Sequence, residues 1–197
     1  MQLDLNVDQG YSFIRTVRWE DAPITYIAVT GVTQAAPAVV HVPVHGVPNG
    51  WRVAFTSIKG MKQLNAVNSP PALNDYHLAT VVDPDHVSLN DVDSSLFGAW
   101  TSGGFMQYFT PVDLNGYTAL MEVRQFVGGD VLLTLSTANL KIVVDNTGKT
   151  ITLTLSATDT DVLTFGTGVY DLKMISPAGV ATMLLNGAFT VTPRVTV

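Results

Sequence analysis

Hydrophobic and polar positions alternate in short runs along most of the chain, and a helical period is almost absent. The runs carry β-branched residues and recur about every ten residues between Gly, Pro, Asn and Asp clusters, which predicts an all-β protein. In the second half the expected strands are Ala119–Arg124, Val131–Ser136, Leu140–Asp145, Thr150–Ser156, Tyr170–Ile175, Ala181–Leu185 and Phe189–Val195. Seven short strands at this spacing predict a sandwich. The run Thr150-Ile151-Thr152-Leu153-Thr154-Leu155-Ser156 puts hydroxyls on one face and Ile and Leu on the other, as a half-solvated strand requires.

The segments between strands carry turn chemistry. Asp145-Asn146-Thr147-Gly148 offers Asx bonding and a glycine for positive φ, which predicts a tight hairpin. Ser176-Pro177-Ala178-Gly179 predicts another, between strands around Met174 and Met183. Ala157-Thr158-Asp159-Thr160-Asp161 reads as a capped helical turn that crosses to the other sheet. Near the start, residues 2–19 read as two strands. From Pro23 to about Gln107 the texture changes, because this stretch holds all four histidines, two of the three tryptophans and most of the prolines. A domain boundary is expected there.

The segment Pro111-Val112-Asp113-Leu114-Asn115-Gly116-Tyr117-Thr118-Ala119-Leu120-Met121-Glu122-Val123-Arg124 resembles a motif of bacteriophage virion proteins. It is similar to the immunoglobulin-like domain in the N-terminal part of baseplate upper proteins. The pieces LLTLST, ITLTLSATDT and VYDLKMISPAGVATMLLNGAFTVTPRVT agree in order and spacing. In that family a turn like Trp19-Glu20-Asp21 runs almost directly into the PVDLxGYTA segment, whereas here an insert intervenes. The insert looks like the small β-barrel module named after the first catalytic-cysteine half-domain of ubiquitin-activating enzymes, with His45-Gly46, Gly50, Gly60-Met61 and Leu64-Asn65 at matching positions. The resemblance implies an immunoglobulin-like β-sandwich of residues 1–23 and 109–197, interrupted by a small β-barrel of residues 24–108. Met61 and Leu64 are its expected core plugs.

Composition narrows the chemistry. The chain has 197 residues and no cysteine, so disulfides, thiolate metal sites and cysteine nucleophiles are excluded. Ten Lys and Arg against sixteen Asp and Glu give a net charge of −6, with no basic field for nucleic acid or an anionic membrane. The opening MQLDLNVDQG carries acids where a signal peptide carries basic residues, and no apolar run approaches the roughly 20 residues of a membrane span, so a mature soluble chain is expected.

Candidate sites are few. His41-Val42-Pro43-Val44-His45 is the best metal lead, with His77 and His86 elsewhere. Pro43 and its β-branched neighbours predict an extended segment, in which four residues span about 13 Å, too far for one ion. Asp83-Pro84-Asp85 and Asn90-Asp91-Val92-Asp93 offer oxygens for calcium, but the first suits a hairpin turn and the set lacks the glycine and terminal glutamate of a calcium loop. The two glutamates, Glu20 and Glu122, form no recognisable acid–base pair, and no motif frames a serine or a phosphate, so no enzyme, metal or cofactor is expected. Trp51 and Trp100 stand near turns, where exposure would make sugar platforms, or else fill the inserted barrel; Trp19 is expected to cap the sandwich.

The resemblance therefore implies a virion protein of tail, baseplate or neck, working through contacts with other virion proteins and with further copies of itself. The strands Gln2–Val7 and Phe189–Val197 are the expected assembly edges. The alternatives are a capsid decoration protein, or a carbohydrate-binding module that grips a host glycan through Trp51, Trp100 or Tyr76.

Overall fold

The protein is described by a computed structural model that covers residues 1–195, the side chain of Ala22 excepted. Among the described residues the chain is nearly all β. In order come β1 (Leu5–Asp8), β2 (Phe13–Val17), β3 (Glu20–Ala28), β4 (Gly31–Val32), β5 (Ala38–His41), β6 (Trp51–Thr56), β7 (His77–Asp83) and β8 (His86–Leu89). Then follow β9 (Phe105–Pro111), β10 (Thr118–Arg124), β11 (Val131–Ser136), β12 (Ile142–Asp145), β13 (Thr150–Leu155), β14 (Thr167–Ile175) and β15 (Ala181–Thr192). One α-helical turn, α1, covers Ala157–Asp161, and short 3-10 turns cover Lys62–Leu64 and Leu73–Asp75. The chain divides into two compact units, Met1–Trp19 with Asp113–Val197, and Glu20–Val112.

The first unit is a β-sandwich. One sheet has the order β1-β15-β14-β10-β11 and the other β12-β13-β2. Alternation sorts its residues as the pattern of β13 requires, with Ile151, Leu153 and Leu155 fully buried and the intervening threonines half-buried. The opposing sheet buries Met121 and Val123 of β10, Leu172 and Met174 of β14, and Leu185 and Phe189 of β15. Each such side chain contributes about 1.5–3 kcal/mol by leaving water. The α1 turn leads from β13 in the smaller sheet to β14 in the larger. Its capping box is complete: Ser156 Oγ accepts from the Asp159 N–H at 3.1 Å, and the Ser156 N–H donates to Asp159 Oδ2 at 2.9 Å.

Three local expectations change. The separate strands at Ala181–Leu185 and Phe189–Val195 are one strand, β15, because Asn186-Gly187-Ala188 continues the ladder instead of turning. Gly187 serves close approach, since a Cβ there would collide with the Leu3 carbonyl oxygen. In the β12–β13 hairpin the positive φ lies at Lys149, at 51°, and not at Gly148. Gly148 instead passes close to Asp145, whose Oδ2 accepts its N–H at 3.1 Å. Third, β15 is not an edge. β1 pairs with it in parallel, Leu5 opposite Phe189, so the edges of that sheet are β1 and β11, and residues 196–197 of the expected terminal strand lie outside the described residues. The β11 edge is blunted by Asn139, whose Nδ2 donates to the Thr134 carbonyl at 3.0 Å while its Oδ1 accepts from the Ser136 N–H at 2.8 Å.

The second unit is one seven-stranded sheet in the order β3-β9-β6-β7-β8-β5-β4. β6 changes partner along its length: Trp51–Val53 pair with β7, and Ala54–Thr56 pair with β9. Among the described residues β3 and β4 are the two ends of the ladder, and no pairing joins them. The core gathers Trp51, Phe55, Met61, Leu89 and Met106, all fully buried, with Leu64 beside them. The positions 24 and 108, expected as limits of the insert, fall inside β3 and β9, which are paired from Glu20 opposite Pro111 onward.

Candidate functional site

The residues singled out as aromatic contacts lie in the second unit in three different settings. Trp51 is fully buried at the start of β6 and donates its indole N–H to the Phe109 carbonyl at 2.9 Å. It therefore presents no face to a ligand, which corrects its place among the contact residues. Trp100 is half-buried, packs on the core of this unit and donates to the Gly103 carbonyl at 3.0 Å.

Tyr76 is half-buried and belongs to a cluster that sequence reasoning missed. Arg52 on β6 donates from Nε to both oxygens of Glu20 on β3, at 2.8 and 2.9 Å, and also from Nη2 to Glu20 Oε2. The guanidinium carbon lies 4.9 Å from the Tyr76 ring centroid and 5.3 Å from that of Phe109. Such a planar cation suits a carboxylate fork and two aromatic faces together. Tyr76 is delivered by a loop that Asp75 organises: its carboxylate accepts from the N–H groups of Val67 at 3.0 Å and Ala72 at 2.8 Å, and from Asn68 Nδ2 at 2.9 Å. These bonds, Asn68 foremost, hold the Asp75 carboxyl below the usual carboxylate range. The Tyr76 hydroxyl is buried with no hydrogen-bond partner among the described residues, and burial raises its pKa.

The first unit carries a groove of about 720 Å3 over the outer face of its larger sheet. Outward-facing side chains of three strands line it: Glu122 and Arg124 from β10, Asp171 and Lys173 from β14, and Met183 and Asn186 from β15. Glu122, Asp171 and Asn186 stand on one rung, because the register places Glu122 opposite Asp171 and Asp171 opposite Asn186. Two carboxylates side by side repel, and Arg124 offsets this by binding Glu122 at 2.6 Å. Arg124 also donates to the Gly129 carbonyl at 2.7 Å. Val127 and Met183 expose apolar surface at the groove, 90% and 57% respectively. Beneath it, Tyr170 donates to the Leu3 carbonyl at 2.6 Å; burial first, and the Asp4 carboxylate second, push its phenol up to about 12. Both glutamates are thus held by an arginine, and the groove offers fixed charges and amides for recognition.

The remaining sequence candidates have local roles. Asp83-Pro84-Asp85 forms the β7–β8 hairpin turn, where Asp83 Oδ1 accepts the Asp85 N–H at 2.8 Å. Asp93 caps Ser95 in the same way at 3.0 Å. The segment 41–45 is not extended throughout: β5 stops at His41, and Val44 turns the chain with a φ of 52°. His45 is buried, its Nε2 2.9 Å from the Asp83 carbonyl and its Nδ1 accepting from the Val47 N–H at 3.2 Å. Among the described residues no group of three or more His, Cys, Asp or Glu is placed to hold a metal ion, and no helix is long and apolar enough to cross a membrane. Against known proteins, the chain matches no family model and no curated protein.

Proposed function

We propose that this chain is a structural component of a bacteriophage virion, of tail, baseplate or neck, that works through protein–protein contacts and has no catalytic role. The observation that supports this reading most is the groove on the outer face of the five-stranded sheet. It combines exposed Val127 and Met183 with charged and amide side chains held in register, the mixture found where one protein surface meets another. The motif at residues 111–124, which resembles a baseplate domain, supplies β10, the strand that carries Glu122 and Arg124 to this groove.

The occupant in this reading is another virion subunit or a further copy of the chain. Light scattering of the purified protein tests the homo-oligomeric version. The expected result is a closed oligomer, with Met183→Asp shifting it toward monomer while the melting temperature stays within a few degrees. A monomer at every concentration, or an oligomer indifferent to Met183→Asp, argues against this face as the contact. The glycan reading has Trp100 and Tyr76 left to stand on, and a glycan array with Tyr76→Ala and Trp100→Ala variants tests it.

A further inference from the structure

We propose that His41 and His86 form a two-histidine site for a borderline divalent cation such as Zn2+, Ni2+ or Cu2+. The two residues are 45 positions apart in sequence, yet β5 and β8 place them directly opposite each other. Their rings stack with centroids 4.5 Å apart and planes 19° apart, and both side chains are half-exposed.

The hydrogen bonds around the rings determine which nitrogens are engaged within the protein. His86 Nδ1 lies 2.9 Å from each oxygen of Asp83. A carboxylate only accepts, so this nitrogen carries the proton and Nε2 keeps its lone pair. His41 Nδ1 lies 2.8 Å from Thr30 Oγ1, and the tautomer that donates its Nδ1–H to this hydroxyl leaves a lone pair on Nε2, the form that a cation selects. Each ring is thus oriented through Nδ1 by an outer partner, the arrangement that supports ligating histidines.

Two bonds of 2.0–2.1 Å require ligand nitrogens within about 4 Å of each other, so the near-parallel rings must splay about χ2, a soft torsion, for their lone pairs to meet on one ion. Water fills the other positions, because no third His, Cys, Asp or Glu joins the pair among the described residues. Imidazole selects these metals over magnesium or calcium. The other histidines lack the arrangement. His45 uses both nitrogens within the protein. His77 is oriented by Asp91 at 2.7 Å but has no second imidazole beside it, which makes it the internal control.

The test is calorimetric titration of the untagged full chain with Zn2+ alone, repeated with Ni2+. One equivalent is expected to bind saturably, with affinity falling at least about tenfold in His41→Gln and in His86→Gln, and about 10–100-fold in Asp83→Asn. His77→Gln is expected to bind as the parent does. Circular dichroism verifies the fold of each variant, and Cu2+ electron paramagnetic resonance gives an independent reading, with hyperfine coupling to two equivalent nitrogens expected in the parent and to one in either single variant. Absence of saturable binding, or an affinity equally insensitive to His41→Gln and His86→Gln, overturns the site.

Discussion

The indole N–H of Trp51 reaches the carbonyl of Phe109 at 2.9 Å, joining the first residue of β6 to β9 from a fully buried position. Trp51 pairs along its backbone with Ala79 of β7, while the other half of β6 pairs with β9, so this side chain spans the point where β6 exchanges partners. Trp51→Ala is expected to destabilise the second unit by about 3–5 kcal/mol. Trp51→Phe, which keeps an aromatic ring but removes the indole donor to the Phe109 carbonyl, costs about 1–3 kcal/mol. Denaturant unfolding followed by hydrogen exchange at β6 and β9 amides measures both, and an unchanged midpoint for Trp51→Ala contradicts the assignment.

Tyr76→Phe is expected to act in the opposite direction. Its hydroxyl is buried without a partner among the described residues, so removal relieves a desolvation cost of about 1–3 kcal/mol while keeping the ring against Arg52 and Phe109. The second unit is expected to gain stability or stay level. A loss above about 1 kcal/mol would show that the hydroxyl is bonded in solution.

Acid sensitivity of the first unit centres on Asp159. The Lys141 ammonium first, then the Ser156 N–H and hydroxyl, lower its carboxyl to about 2. A depressed carboxylate pKa contributes stability that is complete above the unfolded value near 4 and is lost as pH falls through about 2. Asp159→Asn is therefore expected to be less stable than the parent at neutral pH, with the gap closing between about pH 4 and 2. Denaturant midpoints across that range measure the gap; one that stays constant with pH would remove Asp159 from this role.

Gly187→Ala tests the seating of the first strand. The new methyl meets the Leu3 carbonyl oxygen, so β1 must shift, at a cost of about 1–3 kcal/mol. Faster hydrogen exchange is expected at Leu5 and Val7, whose strand pairs with β15 alone among the described residues. Gly166→Ala, where nothing stands within 4 Å of the added carbon, is the control and is expected to leave those amides unchanged.

What the sequence made legible follows the range of the forces involved. Period-two alternation and turn residues act locally, so Thr150–Leu155, the Ser156 cap and the Ser176–Gly179 turn are read directly from neighbours. Gly187 misleads for the same reason: locally it resembles a break, and only the approach of Leu3, far away in the chain, explains it. The candidate site was less legible. Trp51 near an Asn-Gly turn left a surface platform and a barrel-core role both open, and the core formed with Phe55, Met61, Leu89 and Met106 buries it. Arg52 with Glu20, and His41 with His86, are pairings made by sheet register across 32 and 45 positions, and alternation carries no register.

The proposed virion role is tested most directly by cryo-electron microscopy of virus particles purified from the source of this chain. The account predicts symmetry-related copies in the tail, baseplate or neck, with a neighbouring subunit lying over Val127, Met183 and the Glu122–Asp171 rung. Copies on the capsid surface would move the protein to the decoration class, and absence of the chain from the particle would contradict the account.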